Sequence, residues 1–305
     1  MNYMCKKIIL LLILSWTFIY CIYAQDSTAN NSVKIRYNIL LISSLTGSTL
    51  ILGTVPCLPY FESTESVRFH FYNDNSGYLL VDKLIHSYYS YITSNIWYQG
   101  LTKAGVNKDQ ALVLGGTIGF ILLTPKEVFD GFTKDGGFSW GDMLANAAGP
   151  ALFVGQELLF DEQIFKYKFS FSRSEYADQS NGYLGKTMTP SYFRDYNGHT
   201  YWLSINASKI FPETKVPGWI NIAVGYSANG MFGKYENKDS YKGVEIPETQ
   251  RYRQFLLSLD VDWSKIKVNS KFLRLMLNGM NFIKVPFPAF DINSKGHLKG
   301  YWIYF

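Results

Sequence analysis

The stretch FKYKFSFS, Phe165–Ser172, decides how the chain is read. Aromatic residues at 165, 167, 169 and 171 alternate with Lys or Ser at 166, 168, 170 and 172. That period of two fits a strand and does not fit a helix. Four later stretches share its character: TYWLSINASKI (200–210), WINIAVGYSANG (219–230), RYRQFLLSLDVDW (251–263) and LKGYWIYF (298–305). Turn-rich segments such as 176–198 and 234–243 separate them, which predicts an antiparallel sheet. One short helix, about 270–283, is expected to interrupt the series. Asp260 and Asp262 alternate with Val261 and Trp263, so both are expected to face solvent. The closing Phe305, with Ile303 and Gly300 upstream, resembles the last-strand signal of outer-membrane barrels; an ordinary edge strand ending in an aromatic residue reads equally well.

Upstream of this stretch the period changes. Three helices are predicted, over about 79–104, from near Lys108 through ALVLGGTIGFILL, and from near Ser139 through GDMLANAAGPALFVGQELLF. Gly115 and Gly119, then Gly141, Ala145 and Gly149, recur at four-residue spacing. Small residues on one stripe let helices approach closely, in a membrane bundle or in a soluble one. The expected fold is therefore α+β. A helical bundle over 37–160 precedes an antiparallel β region over 161–305. That β region either packs on the bundle or forms part of a membrane-inserted sheet, a partial or small outer-membrane barrel.

The N-terminus reads as an export signal. Lys6 and Lys7 precede an apolar stretch from Ile8 to about Tyr20, and Ala24 closes an acceptable cleavage site, giving a signal peptide over 1–24. Tyr20 and Tyr23 flank Cys21 with bulk, which argues against lipidation there. Removing the two lysines lowers the net charge from +5 to +3, too little for an electrostatic case for nucleic acid. Cys57 then stands without a second cysteine, so neither a disulfide nor a thiolate metal site is expected. The charged fraction is 17% and the aromatic fraction 17%, a balance that suits a cell-envelope or membrane-associated protein better than a cytosolic enzyme. Residues 38–57 are apolar for long enough to span a bilayer, but Ser43, Ser44, Thr46 and Ser48 suit a buried helix equally.

Three short stretches concentrate polar side chains in this apolar context. Asp82 and His86 sit one turn apart, with Lys83 between them; Lys126 and Glu127 precede Asp130; Ser139 and Asp142 precede Asn146. If the helices bring the three stretches together, His86, Asp82, Glu127 and Asp130 make a plausible ligand set for a divalent metal. As catalytic groups, His86 would serve as base with Asp82, Glu127 and Asp142 as acids or ligands. The remaining members, Lys83, Lys126, Ser139 and Asn146, would complete a structural polar cluster. Helix capping offers a plainer account. Thr124-Pro125-Lys126-Glu127 and Ser139-Trp140-Gly141-Asp142 both have the form of a capping box, in which the acid satisfies free backbone N–H groups. No nucleophile motif accompanies the cluster, and His70, His199 and His297 have no ligand spacing.

The motifs FYNDN…VDKLIH, TPKEVFDGF and GFSWGDMLANAAG occur in order and resemble the YfiM-like family of predicted periplasmic proteins, over about Phe71–Gln156. Longer members are similar through FDEQ, RDYNGHTYWLS, NIAVGY and NFIKVPFPAFDIN…YF. The order Asp82, Lys83, His86, then Glu127, then Asp142, Asn146, Gly149 also resembles the VanZ-like membrane proteins. Both resemblances imply an exported helical envelope domain and neither implies a reaction or a cofactor. Short YfiM-like members are lipoproteins, from which this chain departs in its residues around Cys21. The expected partner is a membrane at the outer membrane or its periplasmic face, together with an unspecified protein. A structural or interaction role is one functional reading. A hydrolase or transferase acting on lipid or cell-wall precursor is the other.

Overall fold

A computed structural model describes residues 65–213 and 215–305. The signal peptide, Cys21, the apolar run 38–57 and Cys57 lie outside the described residues. The described chain forms α1 (Val81–Lys103), α2 (Lys108–Asp130), α3 (Trp140–Phe160), β1 (Phe165–Phe171), α4 (Glu175–Gln179), α5 (Met188–Arg194), β2 (His199–Asn206), α6 (Ala207–Ile210), β3 (Ile220–Asn229), β4 (Ser240–Tyr241), β5 (Val244–Glu245), β6 (Tyr252–Val261), α7 (Lys271–Met280), β7 (Phe287–Asn293) and β8 (Leu298–Tyr304). This is the expected α+β order. It divides into two compact units: Tyr89–Val154 with residues up to Asn73, and Asp74–Tyr88 with Gly155–Phe305.

The first unit holds most of the three long helices. Asn107 caps α2, its side chain accepting from the Asp109 backbone N–H at 2.9 Å. Trp97, Leu101, Ala111 and Ile118 form a core cluster. The small-residue stripe of α2 sits against α1. A Cβ on Gly119 would strike the Ser90 carbonyl, and one on Gly115 would lie 2.5 Å from the Tyr98 backbone nitrogen. The Ser94 hydroxyl donates to the Gly116 carbonyl at 2.7 Å, a bond that only such an approach permits. Of the described helices, α2 alone is long and apolar enough to cross a membrane by length and composition. An extended segment ahead of α1 hydrogen-bonds to the loop after α2, through Val67 N–H to Phe132 O (2.8 Å) and His70 N–H to Gly131 O (2.9 Å). There Phe69 packs its ring on Phe71, Phe132 and Phe138.

One expectation fails here. Thr124-Pro125-Lys126-Glu127 does not start a helix, because α2 runs unbroken through Pro125 to Asp130. Proline inside a helix costs about 3 kcal/mol, yet the packing of the glycine stripe on α1 keeps the element continuous. Thr124 accordingly turns its hydroxyl back to the Phe120 carbonyl at 2.8 Å instead of capping a new helix. Glu127 therefore lies in the last turns of α2 and not at a helix start.

The second unit is built on a six-stranded antiparallel sheet in the order β1-β2-β3-β6-β7-β8, an open sheet and not a closed barrel. Register fixes two unlike faces. Leu203 pairs with Val224, Val224 with Leu257, and Leu257 with Phe290, so these four share one face. Phe255, Leu259 and Ile292 join them by alternation, and all seven are exposed. The opposite face carries Lys168, Ser170, Ser204, Asn221, Ser227, Gln254, Ser258, Asp260 and Asp291, and all nine are buried. The expectation that Asp260 and Asp262 face solvent is thus overturned. Both are buried, Asp260 ion-paired to Lys168 at 2.6 Å and Asp262 to Lys166. Alternation was read correctly, but the usual rule of polar side outward is reversed in this sheet.

The sheet curls around its polar face. Tyr304 of β8 reaches Thr200 of β2 by a hydroxyl contact of 3.2 Å and packs edge-on against Trp202. Trp202, Ala223, Leu256 and Ala289 form the small apolar core inside the curl. Lys284 enters the same space, with its amine 5.0 Å from the Trp202 ring.

Candidate functional site: two buried polar clusters on the long helices

Asp82 and His86 occupy the first two turns of α1, one above the other as their spacing predicts. The segment leading into them is strained. Tyr78, Leu79 and Leu80 have φ of +46°, +52° and +75°, a left-handed run that non-glycine residues rarely adopt. Neighbouring contacts hold it in place. The Tyr78 N–H donates to the Lys234 carbonyl at 2.7 Å, the Tyr78 ring stacks on Tyr196 at 4.1 Å, and the Tyr226 hydroxyl donates to the Leu79 carbonyl. Strain of this kind costs on the order of 1–3 kcal/mol per residue and survives only where the surroundings over-determine it. Its effect is to fix where α1 begins, and therefore where Asp82 and His86 stand.

Around this start lies an ion network that joins distant parts of the sequence. Asp74 accepts from Lys83 at 2.6 Å and from Lys234 at 3.0 Å, and Lys83 also reaches Asp82 at 3.2 Å. Asp74 is buried, so two cations share one desolvated carboxylate while Lys83 also leans on Asp82. Lys83 is thus an ion-pair partner of both acids. Neither Asp74 nor Lys234 was among the candidate residues, and 160 residues separate them. His86 is buried, and beyond it Ser87 bonds the Tyr167 hydroxyl at 3.0 Å.

The first unit contributes the second cluster. Lys126 lies 2.9 Å from Asp130 and 3.4 Å from Glu127, whose side chain is wholly buried. Burial pulls the Lys126 amine down, but Glu127, Asp130 and Asp142 outweigh it and hold the group well above the ordinary lysine range. Glu127, Asp130 and Asp142 therefore all act electrostatically on Lys126. Ser139 is a true cap of α3, its hydroxyl accepting from the Asp142 N–H at 3.1 Å. Asp142 and Asn146, one turn apart, are both buried. Of the two capping boxes read in the sequence, the one at Ser139 has its serine cap and the one at Thr124 starts no helix.

The comparisons with known proteins bear on this same region. A family model described as "Predicted periplasmic lipoprotein (DUF2279)" matches residues 70–156. That span contains every polar residue of both clusters except Lys234, and it ends before the sheet begins. No curated protein and no solved structure matches the chain. The family match supports an exported protein of the periplasm or cell envelope and assigns it no activity.

Proposed function

We propose that this chain is a structural or interaction protein of the outer membrane, whose β region sits in lipid through its exposed apolar face. The observation that carries this reading is the inverted sheet. Leu203, Val224, Phe255, Leu257, Leu259, Phe290 and Ile292 point outward and are exposed, while charged and hydroxyl side chains fill the inside of the curl. Apolar-out, polar-in alternation on antiparallel strands is the pattern of sheets that face hydrocarbon. In water it would leave these apolar side chains exposed on one face, the kind of patch that marks a membrane or protein contact.

The end of the sheet where Ile220 pairs with Val261 supports the same reading. Trp219 and Trp263 flank that pair, and Lys265, Lys267, Lys271 and Arg274 follow in sequence. The helix α7 here is amphipathic and buries none of its residues, with Phe272, Leu275 and Met276 exposed beside the cations. Indole rings and cations gathered at one end of an apolar band suit the headgroup layer, where anionic lipid attracts the basic side chains.

The test is flotation of the purified mature chain with phosphatidylethanolamine/phosphatidylglycerol vesicles. The wild type is expected in the lipid fraction. A variant carrying Val224→Lys, Leu257→Lys and Phe290→Lys is expected to stay in the aqueous fraction, because lysine at mid-bilayer costs about 2–4 kcal/mol per site. Circular dichroism of both proteins checks that the fold survives. Equal flotation of the two would overturn the reading.

A metal-dependent enzyme is the second reading, and one observation favours it. Asp82 and His86 offer ligand atoms within 4.8 Å of each other. Ligands that share one ion at about 2.0–2.6 Å from it stand about 3–5 Å apart. Glu127 and Asp130 are left out of the set, since both engage Lys126. Metal content after dialysis against Zn²⁺ or Mn²⁺ is the check, with His86→Ala expected to lose the bound ion. Equal content in the two proteins would remove this reading.

A further inference from the structure

We propose that the cleft at the tryptophan-bearing end of the sheet is a site for one anionic phospholipid, its phosphate held by lysines and the first part of its acyl chains against the apolar walls. This rests on the membrane reading above and deepens it, from a face that lies in lipid to a built site for a single lipid molecule. The cleft has a volume of about 650 Å³ and is lined by Trp219, Val261, Trp263, Lys265, Ile266 and Lys267. That size lies within the range of about 300–1,000 Å³ typical of small-molecule sites.

The chain fixes these walls in advance. Where β6 ends, the Asp262 N–H donates to the Trp219 carbonyl at 2.8 Å, which keeps the two tryptophan segments together. The Asp262 carboxylate then accepts from the Ser264 N–H at 3.0 Å and caps a single 3-10 turn over Trp263–Lys265. The Trp263 backbone N–H donates to the Asn281 side chain at 2.9 Å, tying the turn to the segment after α7. Pre-formed walls lower the ordering cost of binding.

Two observations say what the cleft accepts. The Trp263 indole N–H is buried and has no acceptor among the described residues. Buried donors are nearly always satisfied, and a lipid phosphate carries the oxygens to do it. The second observation is surplus positive charge. Glu162 takes Lys209 at 2.5 Å and Lys265 at 3.4 Å, and Asp262 takes Lys166, so those two acids are already engaged by three lysines. Lys267 and Lys271 are exposed and make no ion pair among the described residues. Lysines beside apolar walls complement a molecule that is anionic at one end and hydrocarbon at the other. A zwitterionic headgroup brings its own cation and gains less there.

The experiment titrates the full mature chain, in dodecyl maltoside micelles, with dioctanoyl-phosphatidylglycerol by calorimetry. The wild type is expected to bind saturably, one lipid per chain, and to bind dioctanoyl-phosphatidylcholine far more weakly. Lys267→Gln should weaken binding about fivefold, the scale of one basic side chain at an anionic surface. Lys186→Gln, which removes the same charge from an exposed loop, should bind as the wild type does. Trp263→Phe keeps a ring but lacks the N–H and should weaken binding about tenfold. Inorganic phosphate, which cannot use the apolar walls, should bind about tenfold more weakly than the lipid. Circular dichroism checks that each variant folds. Folded variants at 263 and 267 that bind no worse than Lys186→Gln overturn the site, as does phosphatidylcholine or inorganic phosphate binding as tightly as phosphatidylglycerol. Wild type that floats with phosphatidylethanolamine/phosphatidylglycerol vesicles yet shows no saturable binding in micelles overturns the site and leaves the membrane reading standing. Protein that does not float overturns both.

Discussion

Lys168→Met is expected to destabilise the second unit by about 3–5 kcal/mol, the scale for removing one member of a buried ion pair. The Lys168 and Asp260 side chains are both 0% exposed and lie 2.6 Å apart. The lysine also donates to the Val261 carbonyl at 2.7 Å. Asp260 accepts in addition from the Ser204 hydroxyl at 2.6 Å, which in turn accepts from Asn221 at 2.9 Å. Without Lys168 the carboxylate would keep one hydroxyl donor and lose its nearest cation. Asp260→Leu should cost a similar amount by stranding the ammonium. The double variant should recover most of either loss, because well-packed apolar residues replace a buried pair at little net cost. Denaturation of the four proteins in detergent, followed by tryptophan fluorescence, measures the cycle. Single variants that lose less than about 1 kcal/mol would mean that water reaches the pair, and that the inside of the curl is not the desolvated space described above.

Much of this arrangement was legible in the sequence, up to the point where one residue had to be matched with a distant one. The break between helices and strands was clear from FKYKFSFS, because a period of two is a local property. The glycine spacing in α2 likewise foretold a close helix contact. Pro125 misled because local propensity favours a helix start there, while the decision belongs to packing against α1 some 20–35 residues upstream. Asp260 and Asp262 misled for a different reason. Alternation separates two faces but cannot say which faces water, and the answer depends on Lys168 and Lys166 almost a hundred residues earlier. Asp74 and Lys234 carried no local signal for the same reason. Of the candidate residues, Glu127, Asp130 and Asp142 all act on Lys126, a grouping that depends on how α2 and α3 pack and not on spacing alone. The strained turn before Asp82 could not have been read, since Tyr78, Leu79 and Leu80 are not residue types that favour a left-handed backbone.

Lys284→Met is expected to act in the opposite direction from Lys168→Met, although both lysines lie inside the same curl. Lys284 is 2% exposed and its amine donates to the Val285 carbonyl at 2.9 Å, with the Trp202 and Phe287 rings about it. Burial pushes the amine down to about 8; Asp260 opposes that shift and Lys168 adds to it. The space therefore holds two ammonium groups and one nearby carboxylate, and Lys168 already engages the carboxylate. A base whose folded-state pKa is lowered destabilises the fold wherever the group is protonated in both states. Below pH 8 that penalty is complete. Between pH 8 and the ordinary lysine value the folded protein sheds a proton that the unfolded chain keeps, so stability rises with pH across that window. A shift of this size corresponds to roughly 3 kcal/mol at about 1.4 kcal/mol per pKa unit. Lys284→Met should therefore raise the melting temperature at pH 7, and the gain should shrink toward zero as the pH approaches 10.5. A melting temperature of the wild type that stays flat or falls from pH 8 to pH 10, relative to Lys284→Met, would show that the amine is not held in an apolar space. The inside of the curl would then be wet, and Lys168 and Asp260 would lose the desolvated surroundings that the first prediction assumes.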